Sequence, residues 1–529
     1  MTAARPDFDV GGALPEGLTL LEASAGTGKT FTIAALVARY VAAGVPIQQM
    51  LVVTFTKAAT SELRDRVRAR LVDGEAGLRR VLAGGPAGAD PVLRLLASGS
   101  AAEVEVRRGR LAEALAEFDA ATIATTHGFC EQILAGLGTA GDVERGTTFV
   151  ADSLDLTDEV IEDLYLRDWF HQGPATMKPK KARDIGRAAV ANPEAPIVPG
   201  LDEAGLSADQ VTRARFAEAV RREVTQRKRR HATMGYDDLL TRLAATLRSP
   251  RGAAAAVRLR ERYQVVLVDE FQDTDPIQWD ILRLAFGPAA TGPATTLILI
   301  GDPKQAIYSF RGADVWAYID AARLATNRET LGVNWRSDQG VLDALDAVFA
   351  RATLGHPEIA YRNVRAAPGP RISLQGASRP APMRVRIALR PPGRKYFAAE
   401  EGRACVAADV AADIVASLSC GATLDDVALA PGDIAVLVKT NNEAELTRAA
   451  LGRAGVAAVM GGAGSVFAGD SARQWLVLLR ALHRPSHGPS ARAAALTGFL
   501  GWTPARIDTG GPEGRAQLQG QLHRWAAVL

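Results

Sequence analysis

The apolar positions at the start of the chain fall into short runs separated by helical patterns. Leu18 to Leu21 is followed by an amphipathic stretch from Thr30 to Val41, and Leu51 to Phe55 by another from Ala58 to Leu71. Buried runs of strand length alternating with 3.6-residue periodicity predict βαβ units and a parallel sheet. Two further runs, Val265 to Val268 and Thr296 to Ile300, each lead into an acidic residue just past the strand, Asp269 and Asp302. In open α/β sheets ligands bind outside the carboxyl ends of the strands, so these acids are the first candidates for chemistry.

Between the two halves, residues 135–250 turn polar and helical, with basic clusters at Lys178 to Arg183 and Arg227 to Arg230. This pattern reads as a helical domain inserted into an α/β domain made of residues 1–134 and 251–365. A Pro/Gly-rich stretch, AAPGPRISLQGASRPAP, marks a linker over 366–380. Beyond it MRVRIAL alternates with period two and GDIAVLV forms a buried-type run, so 381–529 is expected to begin a second α/β domain.

With 529 residues, 47% of them hydrophobic, the chain is too long for one core and apolar enough for several. The formal charge is +3, and the cations are mostly arginine; this suits an anionic partner, and genomic base bias explains the arginine usage equally well. Cys130, Cys405 and Cys420 are far apart and form no CxxC pair, so neither a disulfide framework nor a zinc site is expected, and a reducing cytoplasm is the simplest setting. The N-terminus lacks an apolar core of signal length, and no stretch approaches the roughly 18 apolar residues of a membrane span, so no membrane association is expected.

The chemistry concentrates at two places. Glu22 to Thr30 read EASAGTGKT between a strand and a helix, the form of a P-loop. The backbone of Ala23, Ser24, Ala25, Gly26, Thr27 and Gly28 would wrap phosphate, because glycine permits the needed dihedrals and the following helix presents its positive end. Lys29, expected to face solvent without nucleotide, would contact the β- and γ-phosphates of ATP, and Thr30 would give a hydroxyl to Mg²⁺. Ala23 stands where the first glycine is usual. Residues 265–275, VVLVDEFQDTD, supply the other half: Asp269 to hold Mg²⁺ and Glu270 to orient and deprotonate the attacking water.

DEFQD resembles the UvrD/Rep class of superfamily 1 helicases, and further motifs of that class follow in order. TFTKAATSELRDRVR (54–68) resembles motif Ia, ATIATTHGFC (121–130) motif Ib, GDPKQAIYSFRGAD (301–314) motif III and LGVNWRS (331–337) motif IV. EASAGTGKTFTI together with GDPKQAIYSFRGAD is specifically similar to the RecB-type beta subunits of exodeoxyribonuclease V. The later segments GDIAVLVKTNNEAE and GGAGSVFAGDSARQWLVLLRAL share that similarity.

The resemblance implies a RecA-like motor domain with a helical insertion, followed by the start of a second RecA-like domain. It implies an ATP-dependent DNA helicase moving 3′-to-5′ on single-stranded DNA, with double-stranded DNA and RecC- and RecD-like subunits as partners. Phe55, Tyr308 and Phe310 match aromatic residues on which bases stack, which supplies affinity without reading sequence. Thr126, His127 and Arg311 match residues that meet the sugar-phosphate backbone. Gln272 and Gln305 match glutamines that sense the γ-phosphate, Arg336 an arginine that stabilises the transferring phosphoryl group, and Trp335 an aromatic that stacks on adenine.

Two departures stand out: residues 1–22 contain no glutamine for adenine recognition, and no motif V, motif VI or nuclease motif is found. The alternative expectation is therefore an ATP- and DNA-binding fragment that does not unwind duplex. A transporter-type ATPase is disfavoured by motifs Ia and III and by the lack of an LSGGQ sequence. The Arg227 to Arg230 run reads either as a contact to duplex phosphates or as a solvated helix face.

Overall fold

The structure is a computed structural model and describes residues 5–137, 148–150, 153–169, 177–191, 195–203, 205–250, 252–288, 293–309, 312–350, 352, 354–369, 372–389, 392–393, 396–461 and 466–528. The chain divides into two compact units, Met1–Gly369 and Pro370–Leu529.

The first unit is built on a six-stranded parallel sheet. Its strands are β1 (Leu18–Glu22), β2 (Met50–Thr54), β3 (Thr122–Thr125), and, after a two-residue parallel pair β4 (Thr148–Phe149) and β5 (Thr233–Met234), β6 (Val265–Val268), β7 (Thr296–Gly301) and β8 (Asn327–Thr330). The order across the sheet is β3-β2-β6-β7-β1-β8. Because side chains alternate along a strand, Leu18, Leu20, Val266, Val268, Leu297 and Leu299 face one apolar layer while Leu21, Leu267, Ile298 and Ile300 face the other. Burial on both faces is why these strands read as continuous apolar runs.

Helices α1 (Lys29–Ala43), α2 (Lys57–Leu82), α3 (Pro91–Leu96) and α4 (Ala101–Ala116) supply the layer on the Leu21 face. The opposite layer takes buried residues of α5 (Thr126–Leu137) and of the stretch from Met234 to Phe286. Helix α2 runs a full eleven residues beyond the expected Leu71. Gly74 and Gly77 lower its helix propensity, yet a Cβ at Gly77 would lie 2.5 Å from Leu93 Cδ2 and one at Gly74 3.2 Å from Leu111 Cδ1. Both positions keep α3 and α4 close against it.

Inside the insertion, α6 (Leu154–Trp169), α7 (Pro179–Ala191) and α8 (Ala208–Arg230) enclose a small core of their own around Val160, Ile161, Phe216 and Val220. Helix α8 starts at a capping box, with Ser207 accepting from the Gln210 amide.

In the second unit, the helix Ala399–Ser419 packs on Asn441–Arg453 through Ala407, Ala411, Ala450 and Leu451, and three helices between Asp470 and Ala526 share another apolar cluster. Neither of the two strands expected there forms. Residues 383–389 and 434–438 join no ladder among the described residues, and Val385, Ile387 and Leu437 are 77%, 79% and 96% exposed. Among the described residues no helix is long and apolar enough to cross a membrane, and the three cysteines are free thiols.

Candidate nucleotide site and nucleic-acid interface

At the carboxyl end of β1 the chain turns through residues 23–28 into α1. Gly26 and Gly28 have φ of 80° and 86°, in the left-handed region that favours glycine. A Cβ at Gly26 would lie 2.7 Å from Arg336 Cβ and 2.9 Å from Asn334 Oδ1, so only glycine fits there. Ala23 needs no such freedom: it is fully buried, prolongs the ladder by donating to the Gly301 carbonyl at 3.0 Å, and has no positive φ. That explains why alanine is tolerated at the first glycine position. Helix α1 carries no acid in its first turn, which leaves its positive end available to an anion.

Lys29 does not face solvent as expected. Its Nζ donates to Glu270 Oε2 at 2.7 Å, and its side chain is 13% exposed. The cause is electrostatic, since Asp269, Glu270 and Asp273 crowd the end of β6 and Lys29 is the cation among them. Glu270 has φ 51°, a strained value for a residue with a Cβ, costing on the order of 1–3 kcal/mol. The strain aims its carboxylate back at the P-loop. Gln272 Nε2 donates to the same Glu270 oxygen at 2.7 Å, and Gln272 Oε1 accepts from the Asp302 amide at 2.9 Å. Gln305 Nε2 donates to Asp302 Oδ2, also at 2.9 Å, so both glutamines meet at Asp302.

Burial, then the Glu270 charge, push the Asp269 carboxyl up to about 6, while Lys29 pulls it down. Asp273 is raised to about 6 for the same reasons. The folded state therefore binds more protons than the unfolded chain between an ordinary value of about 3.9 and about 6. This contribution to stability is complete below about 3.9 and is lost as pH rises through about 6. Asp269→Asn is expected to raise stability at pH 8 by on the order of 1 kcal/mol and to leave it nearly unchanged at pH 4. Thermal unfolding of the nucleotide-free protein at both pH values checks this.

The residues present fit Mg·ATP. Asp273 Oδ1 is buried without a hydrogen-bond partner beside the acid pair, and the donors are oxygens, as a hard cation requires. Among the described residues no three His, Cys, Asp or Glu side chains form a protein-only metal cage. Magnesium usually takes one or two protein carboxylates and keeps waters or substrate oxygens, so this is the pattern it prefers.

Residues 331–337 lie directly on the 23–28 turn. Asn334 Nδ2 donates to the Ala25 carbonyl at 2.9 Å and the Trp335 amide to the Gly26 carbonyl at 2.7 Å. Asn334 Oδ1 accepts from the amides of Arg336 and Ser337 at 2.8 and 2.7 Å, which fixes the turn. Trp335 is 66% exposed beside Gly28, with the Arg336 side chain also open to solvent. Asn334 itself is buried and was not singled out from sequence, although its place in LGVNWRS is the signal that could have found it.

The sequence profile of the UvrD/REP helicase N-terminal domain matches residues 12–325, more than half of the chain and the segment that carries all of this geometry up to motif III. The chain belongs to the UvrD/REP helicase family. It is 44% identical over 98% of its length to the RecBCD enzyme subunit RecB of Mycolicibacterium smegmatis, and 42% identical over 98% to that of Mycobacterium tuberculosis. It is 27% identical over 97% to RecB of Escherichia coli. It covers 47%, 47% and 53% of those proteins, so the chain spans about half the length of the curated relatives it matches.

The helicase motifs that would meet DNA are less completely described. Phe55 follows β2, and Tyr308 follows the motif III turn; their ring centroids are 5.1 Å apart with planes tilted by 32°. Both are only half-buried, and Ile307 beside them is 68% exposed. Thr126 and His127 open α5 at the end of β3, on the same carboxyl edge of the sheet. Phe310 and Arg311 lie outside the described residues. In the basic run on α8, Arg227 pairs with Glu159, Asp163 and Glu223, and Lys228 with Asp238. These two cations are internal ties of the fold and not a ready surface for duplex phosphates.

Proposed function

We propose that the chain is the ATP-driven motor part of a RecBCD-type double-strand-break repair helicase, moving 3′-to-5′ on single-stranded DNA in a complex with RecC- and RecD-like subunits in the cytoplasm. The observation that carries this reading is the 2.7 Å contact between Lys29 and Glu270, 241 residues apart, which brings the P-loop and the DEFQD motif into one site. In that site, Thr30 and Asp269 would hold Mg²⁺, which would neutralise charge on the phosphates. Lys29 turns from Glu270 to phosphate, and Glu270, released, orients water and takes its proton. Gln272 and Gln305, tied together at Asp302, feel the γ-phosphate, and Arg336 reaches the transferring group from beside the P-loop. Trp335 offers its exposed face to adenine, a route to base binding that needs no upstream glutamine.

Phe55 and Tyr308 take part by stacking on bases. Each of Phe55→Ala and Tyr308→Ala is expected to weaken single-strand binding by about 1–3 kcal/mol, with little dependence on sequence. Fluorescence titration with oligonucleotides of different composition checks this. Unchanged affinity in both variants would assign the pair to the core and not to DNA.

A further inference from the structure

The outward side of the helix Asp470–His483 is not what a solvated helix presents. Its inner side is spent on the core of the second unit, where Leu478, Ala481 and Leu482 are buried. On the other side Trp475, Leu476 and Leu479 are 51%, 49% and 47% exposed. Single exposed apolar residues are ordinary, whereas neighbours a turn apart on one helix make a patch, and such patches mark binding surfaces. Phe499 enlarges this one. Its ring centroid lies 4.6 Å from that of Trp475, and the Gly498 amide donates to Gln474 Oε1 at 2.8 Å, which ties the Phe499 loop to the helix.

Further along the same helix the chemistry changes. Leu479, Arg480, His483, Arg484, His487 and Ser490, none of them acidic, line an open hollow of about 460 Å³. His487 Nδ1 and Ser490 Oγ lie 2.8 Å apart on one side of it. Arg480 and Arg484 have no ion pair among the described residues, although Arg448 and Arg473 in the same unit are paired with acids. Cations left without counter-charge around one hollow attract an anion. Trp475, Leu479 and His483 follow at intervals of four residues, so the aromatic and the cationic ends lie along one side of the helix. At a rise of 1.5 Å per residue they are about 12 Å apart.

We infer that this face of the second unit is a further binding site for single-stranded nucleic acid, with unpaired bases stacking on Trp475 and Phe499 and phosphates held by Arg480 and Arg484. The combination decides the occupant. An apolar protein segment over the rings would leave both arginines without counter-charge, and a small anion in the hollow would leave the rings in water. A duplex offers phosphates and keeps its base faces stacked inside. A single strand offers both base faces and phosphodiester charge. The site uses neither Phe55 nor Tyr308, so it goes beyond the contacts proposed for the motor.

Two measurements on the full chain test it. In the first, a single-stranded oligonucleotide carrying photoreactive pyrimidines is cross-linked to the protein and the attached peptides are mapped. Attachment at Trp475 or Phe499 is expected, and the same oligonucleotide annealed to its complement should give little. In the second, the single strand is titrated into the chain carrying Phe55→Ala and Tyr308→Ala, which isolates the affinity that remains without those rings. Trp475→Ala in that background should weaken binding by about 5- to 150-fold. Arg480→Gln with Arg484→Gln should flatten the slope of log affinity against log salt by about 1.4, and this exposed pair serves if Trp475→Ala does not fold. The inference is overturned by cross-links confined to residues outside 470–499, by equal attachment of the duplex, or by unchanged affinity in Trp475→Ala or an unchanged salt slope in the arginine pair. Cross-links at Phe55 or Tyr308 alone would keep the proposed motor contacts and reject this site, and cross-links at Trp475 with none at those two would do the reverse.

Discussion

Glu270→Gln should slow ATP hydrolysis by about 10²- to 10⁴-fold while leaving Mg·ATP bound, because it deletes the proposed general base and keeps the size and shape of the side chain. The local structure sharpens the expectation. Glu270 is held at φ 51° by its surroundings, and its carboxylate accepts from both Lys29 and Gln272. Glutamine still accepts both hydrogen bonds through its carbonyl oxygen, so the P-loop keeps its geometry and the loss falls on proton transfer. Single-turnover phosphate release, compared with equilibrium binding of a nucleotide analogue, separates the two. A Glu270→Gln protein that hydrolyses at the wild-type rate would remove Glu270 from the chemistry.

Much of this geometry is legible in the sequence. Strands buried on both faces announce themselves as apolar runs, and an acid placed just past such a run lies at the carboxyl edge of the sheet; Asp269 and Asp302 are there. GTGKT needs two left-handed residues, and its glycines have them. The failures have physical reasons. Lys29 was expected in solvent because sequence shows the loop and hides the acids that arrive from residue 269 onward.

Glu22 looks like an ordinary polar strand end, since its three cations come from residues 5, 304 and 362 and leave no local pattern. Asn334 sits between two residues with expected roles, and only the fold shows its amide on the Ala25 carbonyl. In the second unit, period-two alternation marks a chain suited to a strand without supplying its neighbour, and residues 383–389 and 434–438 have none to pair with among the described residues.

Lys29→Ala is the other substitution with a large expected effect. It removes the proposed charge-assisted contact to phosphate, a kind usually worth about 1.5–3 kcal/mol, or roughly 10- to 100-fold in affinity. It also strips Asp269 and Asp273 of the cation that holds their carboxyls down, so the protonated forms, poor ligands for Mg²⁺, gain ground. The two effects act in the same direction on Mg·ATP. The proposed DNA contacts are the Phe55 and Tyr308 rings, which pack on each other, so single-strand binding should be spared. The most direct test of an ATP site built from residues 23–30 and 269–272 is therefore equilibrium titration of Mg²⁺ with a non-hydrolysable ATP analogue into wild type and Lys29→Ala, with single-strand affinity measured in parallel. The account predicts saturable binding by the wild type, binding about 10- to 100-fold weaker in the variant, and the same DNA affinity in both. Equal nucleotide affinity in the two proteins would contradict it.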